Sequence, residues 1–158
     1  MKESSTVFTV PITITEKPCP LGGKDAASQF EGKIPVISCE GACLWGEIAR
    51  LAANIVGKEE PYGRSCHGGM FTVPHSALAE WLRKCGSVVV IDGCHMHCHG
   101  RIAENMVGKN NAVVFDGLSL HKKYGNLVDI DAVPEEDRKE VARQLANTIL
   151  TTLRKDQG

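Results

Sequence analysis

Short apolar runs alternate with helical periods along most of the chain. The runs IPVIS, SVVVID and NAVVFDG are apolar at successive positions, which is typical of strands buried on both faces of a parallel sheet. A weaker strand is predicted near Gly63 to Cys66. Apolar residues three or four positions apart predict helices whose buried stripes run over Leu44–Ile55, Leu78–Cys85, Ile102–Val107 and Val141–Leu150. This alternation predicts a three-layer α/β/α fold with a mainly parallel sheet of about four strands, Rossmann-like or flavodoxin-like.

The pattern predicts a single domain over residues 1–158 with three parts. Residues 1–33 form an N-terminal extension, residues 34–120 an α/β core, and residues 134–155 a C-terminal helix. Within the extension, residues 6–15 alternate imperfectly between apolar and polar, which predicts a strand-like segment. Pro11 argues against a central position in a sheet, because proline cannot donate a ladder hydrogen bond. Residues 17–33 are rich in proline, glycine and charge, and predict a loop with one helical turn.

Composition adds limits on function. Of the 158 residues, 42% are hydrophobic and 23% charged, with a net charge of −1, which is typical of a soluble globular protein. No basic face is indicated, so nucleic acid is not an expected partner. No apolar run approaches the roughly 20 residues that span a bilayer. The N-terminus lacks the pattern of a secretory signal, so we expect a cytoplasmic protein.

Cysteine is unusually frequent. The chain has seven cysteines, an odd number that fits poorly with complete pairing in disulfides. Structural disulfides are also rare in a reducing cytoplasm. Each cysteine taken singly could be a small buried apolar residue. At this density, cytosolic cysteines more often bind metals or carry redox chemistry.

Five of the seven cysteines fall where predicted strands end. Cys39 and Cys43 follow IPVIS, Cys66 ends the weaker strand, and Cys94 and Cys98 follow VVVID. The carboxyl ends of parallel strands meet at one edge of a sheet, so these thiols are expected on a common rim. Zinc prefers thiolate and imidazole ligands in a tetrahedral arrangement. The sequence therefore predicts a metal site, with zinc as the expected ion.

Histidines accompany these thiols. His67 adjoins Cys66, and His95, His97 and His99 interleave the last cysteine pair. A neutral imidazole is a metal ligand and also an acid or base near neutral pH. If residues 94–99 were helical, His95 and His99 would share a face rotated by about 100° from the cysteines. On that assumption they would not be co-ligands.

Other polar and thiol residues receive smaller roles. Asp92 is predicted to cap the helix that follows it, rather than to act as an acid. Arg64 and Arg101 could balance a multi-thiolate site or hold an anion, although Arg64 is rather expected to be a solvated surface charge. Cys85 lies on the apolar face of its helix and is expected in the core. Nothing in the sequence directs Cys19 to the rim.

The segment VVVIDGCHMHC resembles the DGC-motif domain, a family of small prokaryotic proteins regarded as zinc binders. The resemblance rests on Asp92-Gly93-Cys94 at a strand end followed by Cys98, and extends to ISCEG and SCHGG, covering roughly residues 34–120. It implies four ligands at Cys39, Cys66, Cys94 and Cys98. Cys43 departs from the family pattern, since Ala42 intervenes before it. Whether Cys43 binds the metal or is a spare thiol stays open.

Several functions are compatible with this site. Four protein ligands would make a structural zinc site, whereas three ligands and a water would permit hydrolysis. Thiol redox or sulfur-transfer chemistry, an iron–sulfur cluster and a regulatory or carrier module that binds the metal itself are the alternatives. Whether the protein is an enzyme stays open. The expected partner is a metal ion. The sequence indicates no protein partner, and it leaves open whether the chain forms a homo-oligomer.

Overall fold

The computed structural model describes residues 6–20 and 28–156. Its four strands form one sheet, in the order β2-β1-β3-β4, and every neighbouring pair is parallel. The strands are β1 (Ile34–Ser38), β2 (Tyr62–Arg64), β3 (Val88–Asp92) and β4 (Ala112–Asp116). The helices are α1 (Leu44–Val56), α2 (His67–Thr72), α3 (Ala77–Lys84), α4 (Cys98–Val107), α5 (Gly117–Leu120) and α6 (Glu135–Asp156). Short 3-10 turns lie at Lys109–Asn111 and Ile130–Ala132.

The two faces of the sheet carry separate apolar cores. Val89 and Ile91 of β3 pack into one cluster with α1 and α6, and Trp45 of α1 is completely buried in it. Val88 and Val90 point the other way, into a cluster that contains residues of α2, α3 and α4. Successive side chains of a strand point to opposite faces, so an uninterrupted apolar run needs cover on both sides. The predicted three-layer α/β/α fold with a parallel sheet is confirmed.

A long loop between α5 and α6 completes the first layer. The indole Nε1 of Trp45 donates to the carbonyl of Tyr124 at 3.0 Å, and the backbone N–H of Leu44 donates to the carbonyl of Leu127 at 2.7 Å. The side-chain oxygen of Asn126 accepts from the N–H of Trp45 at 3.4 Å. The two backbone bonds, from Leu44 and Trp45, serve N–H groups that the first turn of a helix leaves without intrahelical partners. The loop therefore caps α1 where it leaves the rim.

The predicted strand in the N-terminal extension is not formed. Residues 6–15 belong to no strand, and their large apolar side chains are exposed, Phe8 at 88%. One backbone bond, from Thr15 N to Thr72 O at 2.9 Å, ties this segment to α2. An alternating pattern makes a strand only when a partner strand supplies the ladder, and the described part of the chain supplies none here. Residues 28–30 are helical, as expected of the one turn, while residues 21–27 of that predicted loop lie outside the described residues.

No helix in the described ranges is long and apolar enough to cross a membrane.

Candidate metal centre

The direction of chain progression reverses between β1 and β3. From β1 the chain moves outward to β2, and it returns to place β3 and then β4 on the other side. In open parallel sheets, ligands bind in the crevice outside the carboxyl ends of the strands at such a point. The backbone N–H of Cys39 donates to the carbonyl of Ile91 at 2.9 Å, so the two chains stay paired as they leave the sheet. Residues just after β1 and β3 therefore line one crevice.

Three side chains meet in this crevice. One ligand atom from each of Cys39, Asp92 and His99 lies within 4.8 Å of those from the other two. Asp92 is 1% exposed, and the side chain of His99 is 19% exposed. The Nδ1 of His99 lies 3.8 Å from Oδ1 of Asp92, beyond hydrogen-bond distance. A thiolate, a carboxylate and an imidazole at this separation are suited to share one cation.

Asp92 is held in place by the start of α4. Its Oδ1 accepts from the backbone N–H of His99 at 3.2 Å, and its Oδ2 accepts from that of Gly100 at 2.7 Å. Asp92 therefore caps α4 as predicted. It does so from the end of β3, and not from the position immediately before the helix. Gly100 permits this approach, since a Cβ there would lie 3.0 Å from Oδ2 and 2.7 Å from Cγ1 of Val114.

Cys39 lies in a tight loop between β1 and α1. Its sulfur accepts from the backbone N–H of Gly41 at 3.3 Å. A Cβ on Gly41 would lie 3.1 Å from this sulfur and 3.9 Å from that of Cys43, so both thiols flank the same glycine.

The rings of two histidines, His67 at the start of α2 and His99 in α4, contact each other at the crevice with a tilt of 48°. The ring centroids of His67 and His99 are 4.7 Å apart. Nε2 of His67 and Nδ1 of His99 are both buried and have no hydrogen-bond partner. Burial, with a smaller contribution from His99, lowers the pKa of His67 to about 4. His67 is therefore neutral near pH 7, which is the form that ligates.

The segment after Asp92 is a turn rather than the start of a helix. Residues 93–97 are not helical, and α4 begins at Cys98. His97 takes a left-handed backbone conformation (φ 46°, ψ 45°), and its N–H donates to the carbonyl of Cys94 at 3.1 Å. The expectation that His95 and His99 would not be co-ligands depended on a helix over residues 94–99, and that helix is not formed. His97 instead lies toward β4, with Nε2 3.9 Å from Oδ2 of Asp116.

The other predicted thiols lie on the same rim but outside the group of three. Cys43 and Cys66 occupy the positions before α1 and α2, Cys94 lies in the turn after β3, and Cys98 is the first residue of α4. Cys66 and Cys98 are exposed, whereas Cys43 and Cys94 are partly buried. Metal coordination by these four cysteines stays a prediction.

Arg64 is more embedded than its predicted role as a solvated charge implies. Its guanidinium donates to Ser38 Oγ at 2.7 Å, to the carbonyl of Ser65 at 2.8 Å and to Asn54 Oδ1 at 3.0 Å. Glu40 forms an ion pair with it at 3.2 Å. Burial lowers the pKa of Arg64, and Glu40 opposes that change. The side chain fixes the ends of β1 and β2, while Arg101 is exposed.

Cys85 packs against the second core cluster, as predicted. Its thiol donates to the carbonyls of Ser87 at 3.0 Å and Leu82 at 3.3 Å. Cys19 is partly buried and lies outside the group of three.

Zinc fits the crevice on two grounds. The donor set of Cys39, Asp92 and His99 combines the three side-chain types that zinc accepts. A bound cation would satisfy Nδ1 of His99, which is buried without a hydrogen-bond partner, as are nitrogens of His67, His97 and His121. The sequence did not predict that Asp92 and His99 lie together with Cys39, although a carboxylate at the end of a central strand was a signal for it.

A family model described as the DGC domain matches residues 35–150. No curated protein and no solved structure significantly matches the chain.

Proposed function

The chain belongs to the DGC domain family, and from that premise we propose that it binds zinc in the crevice between the ends of β1 and β3. The observation that carries the proposal is the convergence of Cys39, Asp92 and His99 within 4.8 Å. Cys39 follows β1, whereas Asp92 ends β3 and His99 lies in the first turn of α4, so residues distant in sequence meet beside two adjacent strands.

Cys39 is the central ligand of this proposal. It belongs both to the observed group of three and to the thiolate set of Cys39, Cys66, Cys94 and Cys98, with Cys43 adjoining. A four-thiolate site would require the other sulfurs to move toward Cys39. The group of three favours a mixed site built from sulfur, oxygen and nitrogen.

Iron–sulfur chemistry is less well supported than zinc. Clusters are generally held by four cysteine thiolates, and the observed group contributes one. All seven cysteines are free, which suits a reducing compartment, and we place the protein in the cytoplasm on that basis.

The proposal is tested by comparing wild type with Cys39→Ser and Cys85→Ser. Zinc content is measured by elemental analysis, and affinity by competition with a chromophoric chelator. Wild type and Cys85→Ser should each carry about one zinc per chain, since Cys85 lies in the core. Cys39→Ser should bind at least about 100-fold more weakly, because it loses the thiolate. Unchanged affinity in Cys39→Ser would refute the proposed site.

A second candidate, thiol redox chemistry, is supported by one observation. The sulfurs of Cys39 and Cys43 lie 3.1 Å and 3.9 Å from the position of a Cβ on Gly41, so a local rearrangement could bring them together. Two thiols would form one disulfide while hydrogen peroxide is reduced to two waters. Thiol counting before and after mild peroxide treatment should show a loss of two thiols, and none in Cys43→Ser. An unchanged count in wild type would exclude this reaction.

A further inference from the structure

Binding by Cys39, Asp92 and His99 would leave one coordination position of a zinc ion to be filled. Zinc in proteins is usually four-coordinate and tetrahedral. A fourth protein ligand would close the site, whereas a water would leave it open. The identity of the fourth donor therefore decides the kind of site that this protein has.

His67 is located beside the group. It is the first residue of α2 and comes two residues after Ser65, whose N–H continues the pairing of β2 with β1 by donating to the carbonyl of Val36 at 2.9 Å. Because β1 neighbours both β2 and β3, the start of α2 lies beside the chain segments that carry the group. The imidazole is already in contact with that of His99, at a centroid separation of 4.7 Å.

Both imidazoles have an unsatisfied buried nitrogen. Nε2 of His67 and Nδ1 of His99 lack hydrogen-bond partners, although buried polar atoms almost always have one. Nε2 of His97 and Nδ1 of His121 are in the same state, whereas the rings of His67 and His99 are in contact with each other, at 4.7 Å and tilted by 48°. A single cation between the loops would satisfy both nitrogens at once, whereas ligation by the remaining thiols would leave Nε2 of His67 without a partner.

We propose that His67 is the fourth protein ligand, closing a site of one thiolate, one carboxylate and two imidazoles. The inference rests on the proposed zinc binding and specifies its ligand set. Nε2 of His67 is not among the mutually close ligand atoms, so the ring turns toward Cys39 and Asp92 as the metal binds. Gly68 follows His67 and has open space beside its Cα, which gives the start of α2 room to adjust.

Cobalt(II), which can replace zinc and absorbs visible light, provides the probe. Wild type, His67→Gln and His95→Gln are titrated with cobalt and then competed with zinc. His95 is the matched control, because it is an exposed histidine of the same rim. His67→Gln should lose about 100-fold in zinc affinity and show a changed cobalt ligand-field spectrum. His95→Gln should match wild type in both.

A further variant, His67→Cys, separates ligation from a structural role. A thiolate at this position should restore affinity and increase the sulfur-to-cobalt charge-transfer band, since the site would then hold two thiolates. A residue that acts only through packing would not change that band. Circular dichroism of the metal-free variants establishes that each one folds.

The outcomes separate the two proposals. Wild-type affinity and spectrum in His67→Gln would overturn the assignment of His67 while leaving zinc binding intact. Loss of metal in Cys66→Ser, Cys94→Ser and Cys98→Ser, but not in His67→Gln, would assign the thiolate set instead. Failure of wild type to bind either metal would overturn the proposed function itself.

Discussion

Asp92 serves two parts of the molecule at once. Both of its oxygens accept backbone N–H groups of α4, and one of them also lies within reach of the proposed cation. A carboxylate can do both because each oxygen has more than one lone pair. The residue that positions α4 is therefore also suited to position the metal relative to His99.

Replacing Asp92 with asparagine should destabilise the metal-free protein. The amide has one accepting oxygen, so its NH₂ group would face a buried N–H of α4. We expect a loss of about 1–3 kcal/mol in the free energy of unfolding, measured by urea denaturation with chelator present. Asp129→Asn is the control, because exposed Asp129 accepts a single backbone N–H and should change stability little. Equal effects of the two substitutions would contradict the double capping role.

Thiol reactivity should distinguish Cys85 from the exposed rim thiols. Burial raises the pKa of Cys85, and backbone hydrogen bonds at Ser87 and at Cys85 itself oppose that change only in part. The thiolate is the reacting form, so a raised pKa moves the onset of reaction to higher pH. In the metal-free native protein, iodoacetamide should label Cys66 and Cys98 first and Cys85 last, as read by mass spectrometry. Prior labelling of Cys85 near pH 7.5 would show that this part of the core opens readily.

At the scale of elements, glycines allow the end of β3 and the start of α1 to touch. A Cβ on Gly93 would lie 2.7 Å from the carbonyl carbon and oxygen of Trp45 and 2.8 Å from the nitrogen of Gly46. These are backbone atoms, which cannot move aside as a flexible side chain can. The glycine of the Asp-Gly-Cys tripeptide is therefore explained by close packing under the crevice.

Gly93→Ala should consequently cost at least about 2 kcal/mol of unfolding free energy, because α1 must shift away from β3. Gly68→Ala is a matched control on the same rim, since a Cβ there meets nothing within 4 Å. Chemical denaturation of both metal-free variants should show Gly68→Ala close to wild type. A neutral effect of Gly93→Ala would mean that the contact is looser than described.

The sequence predicted the elements with a strong hydrophobic signal and missed the local turns. The runs IPVIS and VVVID became β1 and β3, because burial on both faces leaves little choice of structure. The three residues of β2 carry almost no such pattern, and its start lies one residue before the predicted Gly63. The left-handed residue His97 could not be anticipated, since that conformation is uncommon outside glycine. That single turn separates α4 from Cys94 and brings His99 to the crevice.

For the whole molecule, strand order decided which predicted residues meet. The rim was predictable, because strands that run parallel place their following loops at one edge. The central position of β1 and β3 could not be predicted in the same way, since it depends on how the connections between strands cross the sheet. That order brings Cys39 close to Asp92 and His99, although more than fifty residues of the chain separate Cys39 from each of them.

The N-terminal segment should be dispensable for the fold. The match to the family begins at residue 35, and the large apolar side chains between Val7 and Ile14 are exposed. Deleting residues 6–14 should change the free energy of unfolding by less than about 1 kcal/mol, because little apolar surface is exposed by their removal. Calorimetry and zinc content should both match the full chain. A large fall in melting temperature would show that these residues are covered in solution.

The most direct test of the account is X-ray absorption at the zinc edge of the loaded protein. One sulfur near ~2.3 Å and three nitrogen or oxygen donors near ~2.0–2.1 Å are expected from Cys39, Asp92, His99 and His67. The Cys39→Ser variant, if loaded at high zinc, should show no sulfur at all. A shell of four sulfurs in the wild-type protein would contradict the mixed site and assign the metal to the rim thiols instead.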